Sequence, residues 1–477
     1  MENVDFPTLE PERFEAVLEP EPYRSFIEAM DRVREMLGSH RVWFVNSTAK
    51  GGGVAEMLKP VLGYLRGAGW DASWLVTGGD EEFFRVTKRI HNHLHGHEGD
   101  DGDLDADALG AYEVALERER DEILAAVQPG DVVLLQDPQT LGLAPALSDA
   151  GVKVVWSCHV GIDEPNGVAR RAWDALRGYL GSADRYLFTR RSYVWEGLDE
   201  DRVRIVPPAI DPFSPKNQPL EPDDVAGILA AAGIQDDGLA TRGSFESEDG
   251  SSGTITERAD VVEDAPLPGS VPVVLQVSRW DRLKDHAGVL RGFAEHTPAE
   301  VGAHLVLAGP TTDGVSDDPE QDEVMHELLE ARDALDADVR QRTHVARLPM
   351  GDLEASDAIV NALQRRASVI VQKSLAEGFG LTVSEGMWKG RPVVASGVGG
   401  IQDQVVDGET GLLIDDPTSS EELGRAVTRL LQDRDFGERL GRQAHERVRE
   451  RFLLARYLVQ TTEVIEDVIG DRSARVA

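Results

Sequence analysis

Short runs of apolar residues alternate along most of the chain with longer stretches whose apolar positions recur at helical spacing. Pro22–Leu37 has the helical pattern, with proline in the first turn. Arg41–Val45 (RVWFV) is a β-branched and aromatic run that reads as a strand, and the glycine loop Gly51-Gly52-Gly53 follows it closely. Val54–Arg66 then sets Val54, Met57, Leu58, Val61, Leu62 and Leu65 on one helical face, until Gly67 and Gly69 stop it. Ala72–Thr77 reads as a strand and Glu81–Leu94 as a helix. Val132–Gln136 (VVLLQ), Val152–Cys158 (VKVVWSC), Arg185–Thr189 and Val203–Val206 read as further strands. Apolar strands alternating with helices predict a parallel sheet covered on both faces.

Pro207-Pro208 interrupts this order, because two consecutive prolines end a regular element. The βα pattern restarts at Val273–Val277 (VVLQV) and continues through His304–Leu307, Thr343–Ala346, Val369–Gln372, Val393–Ala395 and Leu412–Ile414. Ser419–Val468 is helical almost throughout. Between the two halves, the stretch GSFESEDGSSGTITERADVVED is rich in Gly, Ser, Asp and Glu, and it reads as a partly disordered surface insertion. The expectation is α/β: two doubly wound Rossmann-like domains facing a cleft, spanning 1–207 and 208–452. The second carries an acidic insertion over 236–270, and a C-terminal helix over 453–477 packs back toward the first.

A chain of 477 residues exceeds one ordinary core, which agrees with two domains. No apolar run approaches the length of a membrane span, and the start, MENVDFPTLEPE, lacks a charged-then-apolar signal pattern. The lone cysteine, Cys158, excludes an internal disulfide and fits a reducing cytoplasm. Eighty-six acidic against 49 basic residues give a net charge of −37. That field repels nucleic acid and anionic lipid, so neither is an expected partner. The acids are spread along the whole chain, like the surface of a halophilic protein, and are read as adaptation to salt.

Candidate chemistry lies where strands pass into helices. After Val369–Gln372, the turn Ser374–Gly380 leads into a helix over Leu381–Lys389, stopped by Gly390. The amides of Gly380, Leu381 and Thr382 would there face an anion. Glu377 before this helix and Glu385 inside it are acids beside an anion-binding mouth, and gripping sugar hydroxyls is a role that suits them. Arg279 and Lys284 follow the strand Val273–Val277 and can neutralise a diphosphate without a metal. They read equally as surface cations paired with nearby acids. The glycines at 51–53 form a second such mouth or a tight turn; no Gly-Lys-Ser/Thr follows them, so a Walker A loop is a poor match.

Glu377-Gly378-Phe379-Gly380-Leu381 through Glu385, with seven residues between the carboxylates, resembles the signature of the family 4 retaining glycosyltransferases of GT-B fold. Ser278-Arg279 with Lys284, the glycines at 51–53, and Gly399-Gly400 match that family in order. Longer stretches, among them VNSTAKGGGVAEML, DPQ, PPAIDPFSPKN, QVSRWDRLKD and GGIQDQV, resemble its trehalose-forming synthases and retaining trehalose phosphorylases, over about residues 40 to 460.

The resemblance implies an enzyme moving α-glucose from a nucleotide-glucose, UDP- or ADP-glucose, to glucose, reversibly, giving α,α-trehalose. It makes 1–207 the acceptor side and 208–452 the nucleotide-sugar side. Arg279 and Lys284 would bind the donor diphosphate with the backbone around Phe379, Gly380, Leu381 and Thr382, and Glu385 would hold the ribose. Glu377 would hold a hydroxyl of the glucose, His159 would lie beside the transferred sugar, and Gly52 and Gly53 would approach phosphate or acceptor. Family members retain the anomeric configuration by front-face attack, with the leaving phosphate taking the acceptor's proton. Asn46, Asp137 and Gln139 are candidate acceptor contacts or strand-end caps. No cofactor is required; magnesium is compatible with the donor and not essential. A homodimer stays open, as do a phosphorylase using phosphate, another acceptor, and a sugar-nucleotide-binding module without catalysis.

Two other features compete. His91, His93, His95 and His97 could bind a metal, but they alternate around a helix end without Cys or a fixed carboxylate, and no metal site is assigned. Asp-x-Asp triplets over 101–107 arise by chance in so acidic a chain.

Overall fold

The computed structural model describes residues 1–49, 52–100, 102–235, 243–311 and 319–470, and the chain divides into two compact units. One comprises Met1–Ala209 and Leu454–Ala477, the other Ile210–Leu453. In the first, β1 (Glu2–Val4), β2 (Val42–Asn46), β3 (Ala72–Val76), β4 (Val132–Gln136), β5 (Lys153–Cys158), β6 (Arg185–Phe188) and β7 (Val203–Ile205) form a sheet ordered β1-β3-β2-β4-β5-β6-β7. Every pairing is parallel except that of β1, which runs antiparallel along β3 with Glu2 opposite Val76. The central strands β2 and β4 are buried at every position, as their unbroken apolar runs require. Trp43, Phe83, Ile90, Leu116, Leu135 and Trp156 share one core cluster, and Trp156 meets Trp195 edge-on at 5.3 Å.

The C-terminal helical stretch divides into three: Ser420–Gln432, Arg434–Arg451 and Leu454–Gly470. The last belongs to the first unit and packs on the helix Pro20–Leu37. Its apolar face, including Leu458, Ile465 and Val468, is buried. Its Asp467 accepts from Arg204 at 2.6 Å.

In the second unit, β8 (Ser244–Glu246) and β9 (Ser252–Thr254) form a small antiparallel pair. The main sheet runs β10-β13-β12-β11-β14-β15-β16, from β10 (Asp260–Val262), β11 (Val273–Val277), β12 (His304–Pro310), β13 (Thr343–Leu348), β14 (Val369–Gln372), β15 (Val393–Ser396) and β16 (Leu412–Ile414). All of its pairings are parallel except that of β10 with β13. Each unit is a doubly wound α/β fold, as the alternation predicts.

From Gly243 onward the acidic insertion is more ordered than a partly disordered surface insertion would be. Residues 236–242 lie outside the described residues, but from Gly243 onward the segment is built into the unit. Its β10 closes the sheet edge with Val261 opposite Ala346, and Phe245 is buried beneath Gly253. Asp264 accepts from Arg332 at 2.8 Å and Arg340 at 2.7 Å, Glu263 meets His344 at 2.7 Å, and Arg347 bonds Asp260. Asp260, Glu263 and Asp264 thus meet Arg and His side chains from the neighbouring sheet and helices, which offsets part of the self-repulsion that would keep the segment extended.

The acids around 100–107 also have structural work. Asp105 caps the helix Ala106–Ala126 through Asp107 N and Ala108 N, and Asp100 takes a bidentate Arg89 guanidinium that holds its carboxyl down at about 2.

Candidate active site

Strands β11 and β14 are parallel neighbours, so the loops after their carboxyl ends emerge side by side. The loop after β14 enters the helix Leu381–Trp388 through Gly380, whose φ of +85° is a left-handed turn that disfavours a side chain. From behind, Gly400 N donates to Gly378 O at 3.1 Å and Gln404 Nε2 to Phe379 O at 2.5 Å. A Cβ on Gly400 would lie 2.7 Å from Phe379 Cα, so the pair Gly399-Gly400 permits this close approach.

Lys284 and Glu377 come together here. Lys284 Nζ donates to Glu377 Oε2 at 2.5 Å, and Ser374 Oγ donates to the same oxygen at 3.1 Å. Both charged side chains are largely covered, at 15% and 12% exposure, whereas Arg279 stands out at 57% with Asp281 at 3.6 Å. Trp280 anchors the loop between them, its indole donating to Pro310 O at 2.7 Å.

The remaining mouth residues divide between backbone and side-chain roles. The Phe379 ring is buried against Phe452 at 5.8 Å, so only its backbone lies open to a ligand role. The Thr382 hydroxyl donates to Gln372 Oε1 at 2.8 Å. Glu385 is 3% exposed; Gln364 Nε2 donates to its Oε2 at 3.1 Å and Lys216 Nζ lies 4.0 Å from Oε1. Lys216 also pairs with Asp357 at 3.1 Å. Beside them Lys389 donates to Asn217 Oδ1 at 2.9 Å, and burial pushes its ammonium below the usual lysine range. Sequence reasoning missed Gln364 and Lys216. Lys216 stands within PPAIDPFSPKN, which signalled it only by resemblance.

In the first unit the ends of β4 and β5 gather Gln136, Asp137, Ser157 and His159. His159 Nε2 lies 3.1 Å from Gln136 Oε1 and 3.3 Å from Ser157 Oγ. Asp137 takes a positive φ of 58° where β4 turns directly into the helix Asp137–Leu141. Its Oδ1 accepts from His159 N at 2.8 Å, and burial raises its carboxyl pKa against the opposing pull of His159. Asp137 thus ties the two strand ends together. Gln139 follows in the same turn, its Oε1 buried without a partner among the described residues. Asn46 is buried as a strand-end tie, accepting from Trp74 Nε1 at 2.8 Å and donating to Thr48 O at 2.6 Å. Gly52, with φ of +83°, precedes the helix Gly53–Gly67, and Gly51 lies outside the described residues. Gln136 and Ser157 were legible only as polar residues ending otherwise apolar strands.

The histidine tract has local partners. His95 Nδ1 lies 3.0 Å from Gly161 O, and His93 Nε2 lies 3.1 Å from Glu98 O. Among the described residues no three His, Cys, Asp or Glu side chains group as metal ligands, and no helix is long and apolar enough to cross a membrane.

Residues 44–195 match the family described as trehalose synthase, N-terminal domain, and residues 258–447 match glycosyl transferases group 1. The chain is 34% identical over 457 residues to a trehalose synthase of Rubrobacter xylanophilus, covering 94% of this chain and 96% of that one. It is 25% identical to a trehalose phosphorylase of Grifola frondosa over 89% of this chain and 56% of the relative. Among solved structures, the α,α-trehalose 6-phosphate synthase of Burkholderia multivorans superposes with a TM-score of 0.65 at 15% identity, over 92% of this chain and 98% of that one. The fold is GT-B, and the chain belongs to the trehalose synthase family of glycosyltransferases.

Proposed function

We propose that this enzyme transfers α-glucose from a nucleoside diphosphate glucose to glucose, reversibly and with retention, forming α,α-trehalose. The observation that carries the reading is the mouth after β14, where Glu377 at a helix N-terminus meets Lys284 from the neighbouring loop. A carboxylate there serves a sugar hydroxyl, and Lys284 with Arg279 serves the diphosphate. As the glycosidic bond breaks, negative charge grows on the leaving phosphate, and the two cations with the amides of Leu381 and Thr382 stabilise it. By the family resemblance, Glu385 would hold the nucleotide ribose, His159 would lie beside the transferred glucose, and Gly52 and Gly53 would approach phosphate or acceptor, with Asn46, Asp137 and Gln139 as candidate acceptor contacts. The leaving phosphate takes the acceptor's proton, so no side chain has to form a glycosyl-enzyme bond. On this reading no metal is required, because Arg279 and Lys284 supply the positive charge.

The phosphorylase named among the relatives favours a second reading, in which phosphate replaces the nucleoside diphosphate. Trehalose incubated with UDP, ADP or phosphate separates the two. Release of nucleotide-glucose supports the transferase, and release of glucose 1-phosphate alone overturns it. A screen of nucleotide-glucose donors against glucose and other acceptors in high salt then fixes both partners.

A further inference from the structure

The loops that carry Lys284 and Glu377 are joined by more than that one ion pair. Gln276, fully buried near the end of β11, accepts from Lys373 N at 3.1 Å and donates to Lys284 O at 2.9 Å. Leu375 N donates to Leu283 O at 2.7 Å, so the backbones of the two loops are also bonded directly. At the centre stands Lys373. Its side chain is 0% exposed, and its ammonium donates to Asp285 Oδ2 and to Pro417 O, the latter at 2.6 Å. A fully buried ammonium is retained against a large desolvation cost, and methionine would fill similar space without it.

Asp285 is the residue after Lys284, and it has a φ of +43°, a conformation that glycine adopts far more readily than aspartate. Its two carboxylate oxygens have separate tasks. Oδ1 caps the helix His286–His296 through Gly288 N at 3.0 Å, while Oδ2 takes the ammonium of Lys373. A Cβ on Gly288 would lie 2.0 Å from Oδ2, so the carboxylate is enclosed on that side as well.

We propose that Lys373 is a positioning residue for the donor site. Its ammonium holds Asp285 in the left-handed turn, and that turn sets the direction in which Lys284 leaves the loop toward Glu377. The inference rests on the reading of Lys284 as a ligand of the donor diphosphate. Lys373, enclosed in protein, acts through Lys284 and does not touch the substrate.

The test is a double-mutant cycle of Lys373→Met and Lys284→Ala, with turnover, donor KM, acceptor KM and the dissociation constants of UDP and ADP measured for each. Lys284→Ala is expected to lower turnover about 100-fold, as for a lost donor at a developing charge. Lys373→Met alone is expected to lower donor kcat/KM about 10-fold and leave acceptor KM unchanged, because a misdirected cation is weakened rather than removed. In the Lys284→Ala background, Lys373→Met should cost less than about 2-fold, since the cation it directs is gone. Asp285→Asn provides the same cycle should Lys373→Met not fold, because asparagine tolerates the left-handed turn and keeps the cap while losing the charge. Full additivity in the cycle overturns the inference, as does a loss of thermal stability with donor kcat/KM unchanged. Unaltered turnover and nucleotide affinity in Lys284→Ala would overturn the donor reading itself, and the inference with it.

Discussion

Lys284 Nζ and Glu377 Oε2 stand 2.5 Å apart, joining two residues 93 positions apart in the chain. Each is the other's counter-ion before any ligand arrives, so neither charge is left uncompensated under cover. On the proposed reading, a diphosphate approaching Lys284 and a sugar hydroxyl approaching Glu377 would replace this pair with two new ones. Glu377→Gln keeps the shape but removes the counter-ion of Lys284, and on the proposed reading it would weaken the grip on the sugar. Turnover should therefore fall more than nucleoside diphosphate affinity, measured as kcat against Kd for UDP or ADP. A larger loss of affinity than of turnover would contradict the assignment.

Arg279 is the more exposed cation of the loop. Arg279→Ala should cost about 2–4 kcal/mol of transition-state stabilisation, and excess chelator should leave the rate of the unaltered enzyme unchanged. Reversible loss of activity on chelation would show that a metal supplies the charge instead.

Glu385, inside the helix Leu381–Trp388, is held by Gln364 at 3.1 Å with Lys216 4.0 Å away, so its carboxylate is positioned by the protein alone. Glu385→Gln should weaken nucleoside diphosphate binding more than it lowers turnover, the reverse of Glu377→Gln. Gln364→Leu should share the direction of Glu385→Gln with a smaller effect, and calorimetric titration of the three variants checks the order.

Acid should loosen the second unit in a defined window. His304 Nδ1 lies 2.9 Å from His344 Nε2, and burial, aided by His344 and nearby arginines, pushes His304 from 6.5 down to about 4. The unfolded chain binds this proton as pH falls through 6.5, while the folded chain resists until about 4. Stability attributable to this histidine is therefore lost as pH falls across that interval. Thermal midpoints should decline from pH 6.5 to pH 4, less steeply in His304→Gln. Parallel profiles for the two proteins would remove His304 as a cause.

A net charge of −37 repels itself across each unit in dilute buffer, where the Debye length is roughly 30 Å at about 0.01 M; near 1 M it is roughly 3 Å. Thermal midpoint and activity should rise together from dilute buffer to molar salt. An unchanged midpoint with full activity in dilute buffer would show that the acidic surface is not a salt adaptation.

Strand ends, glycine turns and the spacing of Glu377 and Glu385 were legible because each is a local pattern. The identity of Lys284's partner was not, since the pair closes across 93 positions. Lys373 and Gln276 were hidden for the same reason, as a polar residue at or just past the end of an apolar strand does not announce what it will meet. The acidic insertion was misread because composition counts charges without their partners. Arg332, 68 positions from Asp264, reverses the inference. Arg332→Met should cost about 1–3 kcal/mol by leaving Thr343 O and half of Asp264 without a donor. It should also speed proteolysis within 243–264, and equal cleavage rates would return the segment to the status of a loose loop.

The helix Leu454–Gly470 completes a unit whose other residues were all synthesised before Ile210. Ile210–Leu453 is contiguous and can close its own core as it leaves the ribosome, at a pace of about 5–20 residues per second. The first unit instead waits for the whole of the second to be made before Leu458, Ile465 and Val468 reach the helix Pro20–Leu37. The part of Pro20–Leu37 that meets this helix therefore stays uncovered on the nascent chain for tens of seconds, a period in which a chaperone has something to hold.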